Sequence, residues 1–313
     1  MKAAVCTRYG PPDVLEVREV RKPVPGDRDV LVKVGAAAVT PSDCFIRSGI
    51  PSAPIFTRFL FRLVVGVSKP RQPILGMVVA GEVAQIGKTV TRFQRGDRVF
   101  AFTKFRFGAY AQYAAVAETG ILTGVPATLT DAQAAAIPYG GLLALHCLKK
   151  GRVGRGERVL IYGASGAVGT AAVQLAKYFG ADVTAVCGPS NLELVQSLGA
   201  DVAIDYTTQD APNPGIEYDV IFDAAGKRKT SPFKAACHEA LRAGGVCVSV
   251  DDGRPQMAPS DIALLARLAA AGALTPVIDR CYSLAQIGAA HEYVERGHKK
   301  GNVIVNVSHE SAA

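Results

Sequence analysis

Apolar and polar positions change their rhythm once along this chain, near residue 155. Before that point, short apolar or alternating runs are separated by turn residues. Lys2–Cys6, Val14–Val20 and Val30–Val34 read as strands, with Pro23, Pro25 and Gly26 marking a turn between the last two. Residues 39–49, VTPSDCFIRSG, read as a polar turn entering a short helix that Ser42 or Asp43 would cap. Ile74–Ala80, Glu82–Ile86, Arg98–Phe102 and Ala109–Val116 are further strands, punctuated by Gly81, Gly87, Gly96-Asp97 and Gly108. Many short strands at this spacing predict a compact, barrel-like β domain. Alanine-rich helical patterns fill residues 126–150 around the break Pro138-Tyr139-Gly140-Gly141.

After residue 155 strands and helices alternate. Val159–Tyr162, Asp182–Cys187, Val202–Asp205, Val220–Asp223 and Gly245–Val250 read as strands, and Thr170–Phe179 and Leu192–Leu198 as helices between them. This order predicts a parallel, doubly wound sheet. Ser260–Ala271 is a helix ended by Gly272. Thr275–Ser283, Leu284–Arg296 and Val303–Val307 read as strand, helix and strand, and the last six residues as disordered. Residues 50–73 fit neither rhythm. Seven apolar residues from Phe56 to Val65 are interrupted by Arg58 and Arg62 and bounded by prolines. This predicts either a flap over a cleft or a segment lying on a membrane surface.

The most informative stretch is Arg158–Lys177, RVLIYGASGAVGTAAVQLAK. A buried strand, a turn through Gly163, Gly166 and Gly169, and a run of good helix formers make the first βα unit of a dinucleotide-binding fold. A turn without Cβ atoms lets the backbone approach a pyrophosphate, and the following helix N-terminus offers N–H groups and a positive dipole end. The second strand ends at Cys187, and the turn after it is Gly188-Pro189-Ser190-Asn191. An acidic residue there would bind the ribose of an unphosphorylated dinucleotide and repel a 2′-phosphate. Its absence permits NADP and favours it over NAD; Ser190 and Asn191 can donate hydrogen bonds, and Lys177 can reach the same corner. Ser190 and Asn191 read equally well as caps of the next helix.

Length and composition add bounds. The chain has 313 residues, enough for about two domains. Seven scattered cysteines without a C-x-x-C pair suit a reducing compartment, and the expected location is cytoplasmic. No signal-peptide region is evident, and no run reaches the roughly 18–20 apolar residues a membrane span needs. The net charge of +8 suits an anionic partner. The basic residues are dispersed apart from Lys227–Lys229 and Lys299–Lys300, which argues against nucleic acid as the main partner.

With these stretches identified, the chain resembles the medium-chain dehydrogenase/reductase superfamily over nearly its whole length, and within it the zinc-independent NADPH:quinone oxidoreductases. The matching motifs are VTPSDCFIRSG (39–49), ILGMVVAGEVAQIGKTVTRFQRGDRVF (74–100), FGAYAQY (107–113), AAAIPYGGLLALHCL (134–148), LIYGASGAVGTAAVQLAKYFGADVTAVC (160–187), SLGADVAIDY (197–206) and YDVIFDAAG (218–226). GALTPVIDRCYSL and AHEYVERGHKKGNVIVNV near the end match as well. The resemblance implies an α/β fold in which a Rossmann doubly wound parallel sheet, residues 126–272, is inserted into a GroES-like β-barrel catalytic domain, 1–125 completed by 273–313.

The resemblance also implies where metal ligands would stand in zinc-dependent relatives. Those places hold Thr40, Met77 and Tyr139, which form no zinc-binding set, and the cysteine-rich structural-zinc lobe has no counterpart. The expected reaction is therefore hydride transfer from NADPH to an acceptor that is already electrophilic, a quinone or an α,β-unsaturated carbonyl. A 2-enoyl-thioester reductase and a non-catalytic NADPH-binding regulator are the alternatives.

By resemblance Thr40, Ser42, Asp43 and Tyr139 are the catalytic candidates, and Phe45, Arg47 and Phe107 the substrate-binding ones. Tyr139 would donate to a substrate oxygen, and Asp43 would orient a water or pair with Arg47. Gly163, Ser165, Gly166, Ala167, Val168 and Gly169 would hold the pyrophosphate. Lys177, Ser190, Asn191 and Tyr206 fall on the adenosine side, Ala225 and Gly226 on the loop after the fourth strand, and Lys299 and Asn302 toward the nicotinamide. Residues 251–260, DDGRPQMAPS, replace a longer segment that in relatives supplies the edge strands of a homodimer, so both a dimer and a monomer stay open.

Overall fold

The computed structural model describes residues 1–51, 53–213, 215–227 and 230–309. Within it the chain forms two compact units, Met1–Pro138 with Ile278–Ala313, and Tyr139–Val277.

In the first unit β1 (Lys2–Cys6) and β2 (Leu15–Glu19) pair antiparallel as a ribbon, Lys2 opposite Glu19 and Cys6 opposite Leu15. The long β3 (Asp29–Val39) is buried along most of its length because its Val and Ala residues face the barrel interior and its neighbours alike. It leads into α1 (Pro41–Ser48), followed by α2 (Ile55–Val65), β4 (Val78–Ile86), β5 (Arg98–Phe102), β6 (Tyr113–Ala117), β7 (Ile121–Gly124) and α3 (Asp131–Ala135). β4 is one strand where the sequence pattern suggested two broken at Gly81. A Cβ there would lie 2.1 Å from the Lys33 carbonyl, so the glycine marks a close crossing of β3 and not a strand end. β7, too short to stand out by alternation, was not expected.

The second unit begins with α4 (Pro138–Lys150) and runs β8 (Arg158–Tyr162), α5 (Ala167–Tyr178), β9 (Asp182–Cys187), α6 (Leu192–Ser197), β10 (Val202–Asp205), β11 (Tyr218–Asp223), α7 (Pro232–Glu239), β12 (Leu241–Ser249) and α8 (Pro259–Ala270). Its strands are all parallel, in the order β10-β9-β8-β11-β12, so the sheet is doubly wound about β8. Gly272, at φ +74°, follows the end of α8 as expected. α7 escaped the sequence reading because it is short and follows a basic stretch, of which Arg228 and Lys229 lie outside the described residues.

The chain then returns to the first unit through β13 (Ile278–Ser283), α9 (Ile287–Glu295) and β14 (Asn302–Asn306). β14 pairs with β3 and completes a sheet ordered β13-β14-β3-β4-β5-β7, with β6 also on β3. The barrel core is Val30, Val32, Val79, Val99, Leu122 and their neighbours. The unit boundaries fall later than the 126–272 insertion that the resemblance implied, and α3 packs on β3, β4 and β5 of the barrel. Of the six terminal residues expected to be disordered, Ser308 and His309 are tied down: Gln112 donates to the Ser308 carbonyl, and the His309 ring lies on Tyr113 and Val34. Residues 310–313 lie outside the described residues.

Candidate active site

The turn between β8 and α5 shows why three glycines are spaced as they are. Gly163 has φ +80°, a conformation that costs other residues, and a Cβ there would press on Ala225, 3.0 Å from its Cβ. Gly169 lies in the first turn of α5, where a Cβ would be 2.2 Å from the Gly163 carbonyl oxygen. These two glycines close the turn onto itself. Gly166 serves differently. It is the N-cap of α5, in extended backbone, and no side chain caps the helix. A Cβ on it would touch only the Gly163 oxygen, at 3.7 Å, so its outer side is open. The helix start at Ala167 and Val168 therefore keeps the N–H groups that a short polar side chain would ordinarily take. Unpaired N–H groups at the positive end of a twelve-residue helix make an anion site.

The C-terminal ends of the neighbouring strands form the rim of this turn. The Asn191 amide donates to Ser165 Oγ at 3.3 Å, and its Oδ1 is buried without a hydrogen-bond partner. Asn191 thus leaves α6 uncapped by its side chain, against the capping alternative, and turns toward the glycine turn. Tyr206, half-exposed after β10, lies against Tyr162 with ring centroids 6.4 Å apart and beside Gly188. Asp205, at the end of β10, accepts from the Thr207 amide and hydroxyl at 2.9 and 2.8 Å. Ser190 stands in the short 3-10 turn Pro189–Asn191.

After β11, Asp223 organises the loop that carries Ala225 and Gly226. Its Oδ1 accepts from the amides of both, at 3.1 and 3.0 Å. Its Oδ2 is paired with Lys234 at 2.7 Å, and Lys234 Nζ also donates to the Gly226 carbonyl. Both side chains are buried, so each neutralises a charge the other could not bury alone. Neither residue was singled out from the sequence. The only available signal was an acid at the end of a predicted strand, which is usually solvated.

Lys177 is not at this edge. It sits in the last turn of α5, about 15 Å along the helix from Ala167 at ~1.5 Å per residue. There it bonds both oxygens of Asp201, at 2.9 and 2.8 Å, and the Ala181 carbonyl. Its place opposite the nucleotide edge overrides the expectation drawn from residue spacing. Tyr139 does belong to the second unit. It is half-buried in the first turn of α4, and the next residue must be glycine because a Cβ on Gly140 would lie 2.1 Å from the Ala167 carbonyl oxygen. α4 therefore carries Tyr139 alongside the start of α5.

The first unit holds the other candidates. α1 starts at Pro41, its N1 residue, which leaves Thr40 as the cap in place of Ser42 or Asp43. The Thr40 hydroxyl accepts from the Asp43 amide at 3.2 Å and donates to Asp43 Oδ2 at 2.6 Å; the Thr40 amide donates to the same oxygen at 3.0 Å. This reciprocal box engages the Thr40 hydroxyl and Asp43 Oδ2, and Asp43 Oδ1 stays buried without a hydrogen-bond partner. Asp43 is fully buried, and burial pushes its carboxyl up to about 6 against the pull of the Thr40 hydrogen bonds. It neither pairs with Arg47 nor faces solvent. Ser42 is half-buried in the first turn.

Arg47 is 1% exposed. It forms an ion pair with Glu295 at the end of α9 and donates to the Gly10 carbonyl at 2.5 Å. A buried guanidinium spent on these partners clamps α1 to α9 and is not presented to a substrate. Beside it, Cys44 Sγ lies 3.4 Å from His291 Nδ1. Burial, helped by Arg47, pulls His291 down to about 3, and burial raises the Cys44 thiol, so this pair supplies neither a general acid nor a thiolate at neutral pH.

Phe45 remains exposed and meets Phe61 edge-on, centroids 6.2 Å apart. Phe107 is buried in the barrel core at φ +51°, its ring edge-on to Phe105. Met77 is buried, and its carbonyl accepts from the Thr103 amide and hydroxyl at 2.7 and 3.2 Å. Lys299 bonds the Gly301 carbonyl, and Asn302 opens β14. Among the described residues no three His, Cys, Asp or Glu side chains converge as metal ligands, and no helix is long and apolar enough to cross a membrane.

Comparison with known proteins gives two family models. Residues 26–127 match the alcohol dehydrogenase GroES-like domain, and residues 167–285 match the zinc-binding dehydrogenase model. An Arabidopsis thaliana protein, "NADPH-dependent alkenal/one oxidoreductase, chloroplastic", is 32% identical over 97% of this chain and 79% of its own length. A Solanum lycopersicum "2-methylene-furan-3-one reductase" is 31% identical over 98% of this chain and 79% of its own. Among solved structures, the quinone oxidoreductase from Coxiella burnetii superposes with a TM-score of 0.83 at 26% identity, covering 98% of this chain and 99% of that one.

Proposed function

Because this chain belongs to the medium-chain dehydrogenase/reductase superfamily, among its quinone and enone oxidoreductases, we propose that it transfers a hydride from NADPH to a quinone or an α,β-unsaturated carbonyl compound. The observation that carries this reading is the uncapped N-terminus of α5 behind Gly163, Gly166 and Gly169. When bound, NADPH supplies the hydride, and conjugation in the acceptor supplies the electrophile.

The chain's own residues have binding and positioning roles. The amides of Ser165, Ala167 and Val168 hold the pyrophosphate at the start of α5, and Gly166, whose own amide donates to the Gly163 carbonyl, gives it room to approach. Asn191 Oδ1, buried and unpaired, takes a hydroxyl from the adenosine side, and Ser190 and Tyr206 complete that end. No carboxylate projects from the Gly188–Asn191 turn to repel a 2′-phosphate, and the nearby Asp205 is turned onto Thr207. Asp223 and Lys234 keep Ala225 and Gly226 in place against Gly163. Tyr139 is the donor to the acceptor oxygen, stabilising the negative charge that develops there as the hydride arrives. Phe45, Ser42, Lys299 and Asn302 keep the roles the resemblance gives them. Thr40, Asp43 and Arg47 act by fixing α1 and its junction with α9.

Zinc does not fit the donors present. Thr40 is committed to Asp43, Met77 offers a thioether, and Tyr139 a phenol. The reading is therefore metal-independent, and no step passes through a Lewis acid. Cytoplasmic location is part of the same reading, supported by seven free cysteines, five of them buried.

The test is NADPH absorbance followed with a quinone, a simple enone and an enoyl thioester, each with and without a strong chelator. Turnover of the quinone or the enone, unchanged by chelation, is expected. NADPH binding with turnover of none of the three would refute the reading in favour of a non-catalytic role. Turnover of the thioester alone would place the chain among enoyl reductases. Activity lost on chelation and restored by zinc would overturn the metal-free mechanism.

A further inference from the structure

Helix α2 carries its apolar face outward. Its spacing puts Ile55, Phe56, Phe59, Leu60, Leu63 and Val64 on one side and Arg58, Phe61, Arg62 and Val65 on the other. An ordinary surface helix would bury the first set. Of the second set, Phe61, Arg62 and Val65 face the barrel, and Arg58 stands half-buried at the flank: the Phe61 ring is 6.0 Å from Tyr9 and 6.2 Å from Phe45, and the Arg62 guanidinium lies 5.7 Å over Tyr9. The helix is held in this orientation by more than packing. Tyr9 donates to the Gly66 carbonyl at 2.7 Å, and Arg71 donates to the Leu63 carbonyl at 2.8 Å. The apolar side is left in solvent, with Ile55 84%, Phe56 71% and Val64 75% exposed. A contiguous apolar patch on two aromatic and four aliphatic side chains is unusual for a protein surface and marks a contact.

Charge identifies the partner. Between Asp43 and Glu82 the chain contains no acidic residue, while Arg58, Lys69 and Arg71 surround the helix and Arg62 lies under it. The apolar face is the convex side of a helix about 16 Å long, whereas small-molecule sites are concave. A second copy of the chain would bring the same acid-free basic segment against itself, which like charge opposes. An apolar helix face rimmed by basic residues is the arrangement that lies in the plane of a membrane interface.

We propose that α2 docks the protein on an anionic lipid surface, its outward face set into the boundary between headgroups and acyl chains and Arg58, Lys69 and Arg71 at the level of the lipid phosphates. The association is peripheral and reversible. It does not depend on the reaction assigned above, since none of the outward residues belongs to the candidate site.

Co-sedimentation with vesicles tests it, using phosphatidylcholine alone and phosphatidylcholine mixed with phosphatidylglycerol. The full chain should sediment with the mixed vesicles and little with the neutral ones, and be released as salt approaches ~1 M, where charges are screened beyond about 3 Å. The double variant Phe56→Glu, Phe59→Glu should lose at least about tenfold in partitioning. Both positions are exposed, so its reduction of a water-soluble quinone should equal that of the wild type and serve as the check on folding. Absence of binding to mixed vesicles, or binding unaffected by the double variant, would overturn the proposal. Self-association that the same variant abolishes, without vesicle binding, would overturn it too and assign the face to a second copy.

Discussion

α1 and α5 both begin at turns that carry candidate site residues, but their N-termini are finished in opposite ways. At α1 the Thr40–Asp43 box satisfies the first-turn donors with the chain's own side chains. At α5 the cap is Gly166, which offers no side chain. Orphan N–H groups exist at any helix start, one fewer at α1 because Pro41 has none. One helix spends them on itself and is locked in place; the other keeps them for a ligand. The polar residues of the first region, Thr40, Asp43, Arg47 and His291, are buried and mostly committed to one another or to Glu295, Gly10 and Cys44. A cluster of polar side chains therefore need not be the reactive part of a site, while a turn almost without side chains can be.

The contrast can be broken at several points. The largest effect belongs to Gly169→Val, whose Cβ would fall 2.2 Å from the Gly163 oxygen and 2.6 Å from Ala164 Cα. The turn cannot relax without moving the start of α5, so NADPH affinity should fall by at least about 100-fold, with about 3 kcal/mol or more of stability lost. Titration calorimetry and urea unfolding read the two. Next is Arg47→Ala, which removes the clamp between α1 and α9. A broken buried pair costs about 3–5 kcal/mol, and the partial exposure of Glu295 reduces that to about 2–3 kcal/mol. The KM for the acceptor should stay within about twofold. A large rise in KM with little loss of stability would return Arg47 to substrate binding.

Asp43→Asn sharpens the picture of the capped helix through pH. Folding raises the Asp43 carboxyl from 3.8 to about 6, so the folded chain holds a proton that the unfolded chain releases. Its contribution to stability is lost as pH rises through that window. His291 acts oppositely. Its folded value near 3 lies below the ordinary 6.5, so stability is lost as pH falls from 6.5 toward 3. The two slopes offset each other between about pH 4 and 6 in the wild type. Asp43→Asn keeps an acceptor for Thr40 but removes one slope, so the variant should lose stability toward acid by up to about 1.4 kcal/mol per pH unit. Parallel pH–stability curves for the two proteins would contradict this. The smallest effect is expected for Lys177→Ala. Its pair with Asp201 is half-exposed, worth about 0.5 kcal/mol or less, and the ratio of NADPH to NADH affinity should not change. A selective loss of NADPH binding would put Lys177 back on the adenosine phosphate.

What could be read in the residue pattern follows the same division. The βα unit at Gly163–Gly169 was legible because backbone chemistry dictates it: positive φ at Gly163 and the tight approach at Gly169 both demand glycine. The parallel sheet followed from alternation alone. Pairing between side chains far apart in sequence was not legible. Arg47 meets Glu295 across 248 positions, and Cys44 meets His291 across 247. Nothing local distinguishes Arg47 from a solvent-facing arginine at a helix end. Lys177 failed for a geometric reason, since proximity in sequence to the glycines conceals the length of α5. Gly81 misled because a close strand crossing and a strand end leave the same mark.

The most direct measurement is NADPH affinity and thermal stability of Gly166→Asp, which turns the start of α5 into that of α1. A Cβ at this position meets only the Gly163 oxygen at 3.7 Å, so the protein should fold. Aspartate is a better cap than glycine by a few tenths of a kcal/mol, and the melting temperature should hold or rise slightly. NADPH affinity should fall by at least about 100-fold, because the carboxylate takes the N–H groups and repels the phosphates. Undiminished NADPH affinity in a folded Gly166→Asp protein would contradict the account.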